Sequence, residues 1–139
     1  MNGIDTNVLV YAVDGSDPAK QSQAIGLLEK LSGQETPLII PWQVAVEFLA
    51  CLRRWESAGR ITRDDTLAYK SQLLDTPPIV MPSAAILQMS LDLSGQYSLS
   101  HWDSLLIAAC IEAGIGSLYS EDLDSGMTYD SVTVINPFS

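Results

Sequence analysis

Histidine occurs once in this 139-residue chain, at His101, and cysteine only twice, at Cys51 and Cys110. A single histidine excludes a multi-histidine zinc site. Both cysteines lie in apolar stretches of helical period, Leu49-Ala50-Cys51-Leu52 and Ala108-Ala109-Cys110-Ile111. Thiols in such stretches act as small hydrophobes, so both are expected to be reduced and structural. Basic residues are also scarce: seven Lys and Arg against seventeen Asp and Glu leave a net charge of −10. A chain of that sign does not hold nucleic acid by broad phosphate neutralisation, and any polyanionic substrate must be met locally. Arg53, Arg54, Arg60 and Arg63 share one short segment, but Glu56, Asp64 and Asp65 nearly cancel them, which reads as a solvated helix face. No apolar run approaches the roughly 18 residues of a membrane span, and no basic segment precedes the first apolar stretch. A soluble cytoplasmic protein is therefore expected. Neither a Gly-x-Ser-x-Gly elbow nor a Gly-x4-Gly-Lys-Ser/Thr phosphate loop is present.

The composition, 47% hydrophobic and 17% charged, suits one domain over residues 1–139 that folds without a disulfide or metal staple. Strands are expected at Asn2–Asp5, at the proline-framed runs 37–41 and 77–82, at Ser117–Ser120 and at Val132–Ile135. Between them lie helical patterns: an apolar run Val8–Tyr11, then Pro18–Leu31, Trp42–Ala58, a segment opened by Thr62 and ending near Leu74, Ser83–Ser94, and His101–Ala113. Gly95-Gln96-Tyr97-Ser98 reads as a helix break. Strands alternating with crossover helices predict a three-layer α/β/α sandwich with a mainly parallel sheet of about five strands.

Four acids occupy awkward positions. Asp5 ends the first strand, where open α/β sheets bind ligands, although an aspartate there also caps the helix that follows. Glu47 has Val44, Ala50 and Cys51 as helical neighbours, so it is a ligand, half of a buried ion pair with Arg54 as a candidate partner, or a side chain snorkelling at the helix edge. Asp103 opens an apolar helix, and Ser100-His101-Trp102-Asp103 also fits a capping box. Asp122 follows a strand as Asp5 does, crowded by Glu121 and Asp124, and Ser120 can cap there or bond a metal-bound water. Together the four can meet above the C-terminal edge of the sheet, and such a cluster repels itself without a cation. Carboxylates without a Cys/His set suit hard ions such as Mg²⁺ or Mn²⁺, which acidify a bound water.

Ile4-Asp5-Thr6-Asn7-Val8-Leu9-Val10, Val46-Glu47-Phe48, the run from Leu99 to Ala109 through Trp102-Asp103-Ser104-Leu105-Leu106, and Leu118-Tyr119-Ser120-Glu121-Asp122-Leu123 together resemble the ordered acidic motifs of PIN-domain ribonucleases. VapC-type toxins of bacterial toxin–antitoxin pairs are the nearest likeness, and it spans essentially the whole chain. The resemblance implies an endoribonuclease that binds one or two Mg²⁺ or Mn²⁺ ions through Asp5, Glu47, Asp103 and Asp122. A metal-activated water would attack the phosphate, leaving a 5′ phosphate and a 3′ hydroxyl. Glu121 competes for the fourth place, but Ser120-x-Asp122 fits the family pattern better. A homodimer, an RNA substrate and a small antitoxin with a basic side chain are also implied. Two other readings stand beside it: a degenerate member that only binds, and an aspartate-based phosphotransferase. The second lacks support, because Asn7 stands where a second aspartate belongs and Lys70 does not follow a strand.

Overall fold

In the computed structural model, which describes residues 1–139, the chain runs β1 (Asn2–Ile4), α1 (Thr6–Val13), α2 (Pro18–Ser32), β2 (Leu38–Pro41), α3 (Trp42–Ser57) and α4 (Arg63–Leu74). It continues with β3 (Ile79–Val80), α5 (Ala85–Tyr97), α6 (His101–Ala113), β4 (Ser117–Tyr119), β5 (Thr128–Tyr129) and β6 (Val132–Ile135). One sheet has the order β3-β2-β1-β4-β6-β5. Every pairing is parallel except that of β5 with β6. The first strand is therefore central, with Asn2 opposite Leu38 on one side and Ser117 on the other. All three of its residues are buried, and Gly3 packs closely under Ile115, whose side chain a Cβ there would meet at 3.0 Å.

The strand order decides where the helices lie. Moving from β1 to β2 to β3 in one direction with right-handed crossovers puts α1–α4 on one face of the sheet. The return from β3 to β4 reverses direction and puts α5 and α6 on the other. The packing agrees: α1 rests on α2 and α3, α3 on α4, and α5 on α6. The core between the layers is built from buried side chains that include Ile4, Leu9, Ile40, Phe48, Ile107 and Leu118. The direction of winding changes between β1 and β4, which is where a parallel sheet opens a ligand crevice.

Three details depart from the sequence pattern. There are six strands rather than about five, since Thr128–Tyr129 folds back on β6 through a turn with Asp130 in the left-handed region (φ 55°). The second proline-framed run contracts to Ile79–Val80, an edge strand, where flanking prolines are tolerated. Helix α5 continues through Gly95 to Tyr97 and stops at Ser98, φ 57°. Its last turn is held by tertiary contacts: the Tyr97 ring stacks edge-on against Tyr129 at 5.2 Å, and its hydroxyl accepts from the Asp130 N–H.

Candidate active site

Asp5 follows β1 in extended backbone conformation and caps α1. One carboxylate oxygen accepts from the Thr6 N–H at 2.7 Å and the other from the Ser120 hydroxyl at 2.7 Å. The capping role thus takes one oxygen and leaves the second turned toward the end of β4. Asp5 is only 7% exposed. Burial pushes its pKa from 3.8 to about 6, the Ser120 and Thr6 bonds opposing, and the charges of Asp122 and Glu47 adding to the rise. No Lys or Arg pairs with it.

Glu47 stands half-buried on α3 and is held by neutral donors. The Thr6 hydroxyl donates to one oxygen at 2.7 Å and the Gln43 amide to the other at 3.0 Å. The ion pair with Arg54 does not form. Asp122 lies in the turn after β4, its N–H donating to the Ser120 hydroxyl at 3.1 Å. The Asn7 amide nitrogen donates to Asp122 at 3.2 Å and to Ser120 at 3.3 Å, and lies 3.5 Å from Asp5. Thr6 and Asn7 therefore tie together acids from three separate elements. Their neighbours in the chain hid this role: only the run Asp5-Thr6-Asn7, one side chain per partner, hinted at it.

Glu121 faces elsewhere, accepting from the Tyr11 hydroxyl and pairing with Lys20 at 2.9 Å. Of the two adjacent acids, Asp122 is the one bound into the Asp5 network.

Asp103 is the third residue of α6. Its N–H bonds the Ser100 hydroxyl at 3.2 Å, but its carboxylate makes no return bond to Ser100. Only half of the box forms, in contrast to Thr62 and Asp65 on α4, where both halves are made. The Asp103 carboxylate has no hydrogen-bond or ion-pair partner. Its link to the other acids is indirect: the Gln43 amide that holds Glu47 also donates to the Trp102 carbonyl at 3.2 Å. The side chains as arranged bring no three acids, histidines or cysteines to ion-ligating spacing.

Between α1 and α3 a cleft of about 430 Å³ is lined by Thr6, Asn7, Tyr11, Glu47, Arg54 and Asp122, among others. The donor set fits a divalent ion. It is all oxygen, and Asp5 is buried beside like charges with no cation to relieve it. Mg²⁺ keeps several waters and takes only one or two carboxylates, so a full protein cage is not required. Asp5 and Asp122 would hold such an ion, with Glu47 and Asp103 as further or water-bridged ligands.

A PIN domain family model matches residues 4–126. No curated protein matches the chain in sequence. Among solved structures, the Mycobacterium tuberculosis toxin VapC20, described as cleaving the sarcin–ricin loop, superposes with a TM-score of 0.64 at 16% identity, covering 85% of this chain and 87% of that one. A toxin–antitoxin complex from Klebsiella pneumoniae gives 0.69 at 16% identity over 99% and 98% of the two chains. VapBC2 from Rickettsia felis, bound to a promoter DNA fragment, gives 0.69 at 14% over 96% of each. The mostly parallel sheet, the acids that end β1 and β4, and a family match spanning both establish that the chain belongs to the PIN domain family.

Proposed function

We propose that this protein is a metal-dependent endoribonuclease and the toxin of a toxin–antitoxin pair, with Asp5, Glu47, Asp103 and Asp122 as its catalytic, metal-ligating residues. The observation that carries this reading is Asp5, a carboxylate 7% exposed at the switch point of the sheet, beside two further acids and no base. A fold does not retain that arrangement for stability, since like charges in a poorly hydrated site oppose folding. Mg²⁺ or Mn²⁺ bound there supplies positive charge for the phosphate and an acidified water. The chain's own groups do the positioning. Ser120 and the Thr6 N–H hold Asp5, Thr6 and Gln43 aim Glu47, and Asn7 holds Asp122. Asp103, with no internal partner, is left available to the ion or its waters.

The toxins among the similar structures support RNA as substrate and a small antitoxin as partner. The net charge of −10 favours a cationic antitoxin segment. An RNA substrate and such a partner favour the cytoplasm as its working compartment. A homodimer is supported by a second cleft of about 290 Å³, apolar and lined by residues that include Trp42, Met81, Leu87 and Trp102. Those side chains are 43–65% exposed, and large contiguous apolar surface marks an interaction site.

Asp5→Asn and Asp103→Asn should each abolish Mn²⁺-dependent RNA cleavage while leaving the chain folded. Two variants that cut RNA as the unaltered chain does would refute the assignment. Calorimetric titration with Mn²⁺ separates an enzyme from a binding module: a carboxylate-dependent heat is expected, and its absence favours the module.

A further inference from the structure

We propose that Arg54, continued by Arg53, is the RNA-backbone anchor of this protein, gripping a phosphate beside the acid site; the inference rests on the ribonuclease reading above. The charge inventory isolates these two residues. Of seven Lys and Arg, four are in ion pairs: Lys20 with Glu121, Arg60 with Asp14, Arg63 with Glu56 and Lys70 with Asp75. Arg60 is further committed by stacking on the Trp55 ring at 4.1 Å. Only Lys30, Arg53 and Arg54 have no carboxylate partner. Lys30 sits in the last turn of α2 and lines neither depression described here.

Arg54 lines the same cleft as Glu47 and Asp122. A second depression of about 580 Å³, lined by Arg53 and Ser57 among others, shares Ala50 and Arg54 with it. The two share a wall on α3 formed by Ala50 and Arg54. Arg54 lies seven residues after Glu47, hence two turns on, on the same helix face and about 10 Å along the axis. The adjoining Cys51 is a buried thiol whose pKa is raised by burial, so it stays neutral and does not offset the guanidinium.

An acidic chain that binds a polyanion needs its cations unspent and close to the reacting phosphate. At about 0.1 M salt the screening length is about 10 Å, so acids elsewhere on the surface count for little beside a guanidinium in the cleft. Arginine also offers a planar fork that matches two phosphate oxygens. The Arg53–Arg63 segment therefore divides: Arg60 and Arg63 are neutralised within the fold, while Arg53 and Arg54 are left for a ligand.

The test is binding of a fluorescently labelled single-stranded RNA 20-mer of mixed sequence, measured by anisotropy across a salt series. It is run in an Asp5→Asn background so that the RNA is not consumed. Arg54→Gln should weaken binding about tenfold at low salt. It should also flatten the slope of log K against log salt by about 0.7, the release of one phosphate contact on a single strand. Arg54→Lys should restore the slope while recovering only part of the affinity. Arg63→Gln removes the same charge from a residue already paired with Glu56 and should change neither. If Arg54→Gln leaves the slope unchanged, or Arg63→Gln flattens it equally, the anchor is refuted while the nuclease reading stands. A chain that neither binds nor, with Asp5 intact, cleaves this RNA refutes both.

Discussion

At pH 7 the Asp5 carboxyl, pushed up to about 6 by burial beside Asp122 and Glu47, is ionised against its surroundings. A rise from 3.8 to about 6 corresponds to about 3 kcal/mol between the two protonation states. The native chain holds this proton more tightly than the unfolded one. The associated stability is therefore complete below pH 3.8 and lost as pH rises through about 6. Asp5→Asn, which can still accept from the Thr6 N–H, should be more stable than the unaltered chain by about 2 kcal/mol at pH 7.5. That advantage should shrink toward zero near pH 3.5. Urea unfolding without divalent ions at both pH values checks this, and a difference independent of pH would show that Asp5 is not strained by its charge. Neighbouring acids need not share such a fate. Glu121 and Asp122 are alike in sequence, yet Lys20, 101 positions from Glu121, engages the first and leaves the second to Asn7. The Ser120-x-Asp122 pattern favoured Asp122, but the lysine that separates the two acids is not visible locally.

Helix α6 carries a cap and a proposed ligand in the same turn. Ser100 carries the capping bond alone, and Asp103 leaves its carboxylate unpartnered. Ser100→Ala should therefore cost about 1 kcal/mol of stability. Asp103→Asn should lose activity at a stability cost below about 1 kcal/mol, the share of a first-turn charge near the helix dipole. Thermal unfolding of both, set beside cleavage assays, decides it. The reverse order of costs would mean that Asp103 is structural. The elements that were legible in the sequence had strong periods or strong caps: α3, the Thr62–Asp65 box of α4, and the proline-framed β2. A two-residue strand such as β5 has no period to detect. The end of α5 was obscured because Tyr97 is held by Tyr129 and Asp130, which are distant in the chain.

Across the molecule, parallel winding was legible from the alternation of strands and helices, and it already implied that Asp5 and Asp122 end strands at one edge. Their adjacency depends on β4 pairing directly with β1, a fact of strand order that no local pattern carries. The same holds for the Glu47 environment: its apolar helical neighbours were evident, whereas Thr6 and Gln43 as its partners were not. The exposed apolar face around Trp42, Leu87 and Trp102 belongs to this scale too. Two copies each carrying −10 repel except across a face nearly free of charge, and in that cleft Glu112 is the only ionisable side chain. Leu87→Glu should convert a dimer to a monomer in light scattering without loss of secondary structure. A size unchanged by that substitution would refute this face as the seat of the proposed homodimer.

The central place of β1 bears on synthesis at the ribosome. Asp5 is made well before its hydrogen-bond partner Ser120, which lies 115 positions later. A nascent chain that has not reached β4 carries the opening acid with an open strand edge beside it and no assembled centre. On the proposed ribonuclease reading, cleavage would thus have to wait until β4 has been made and paired with β1.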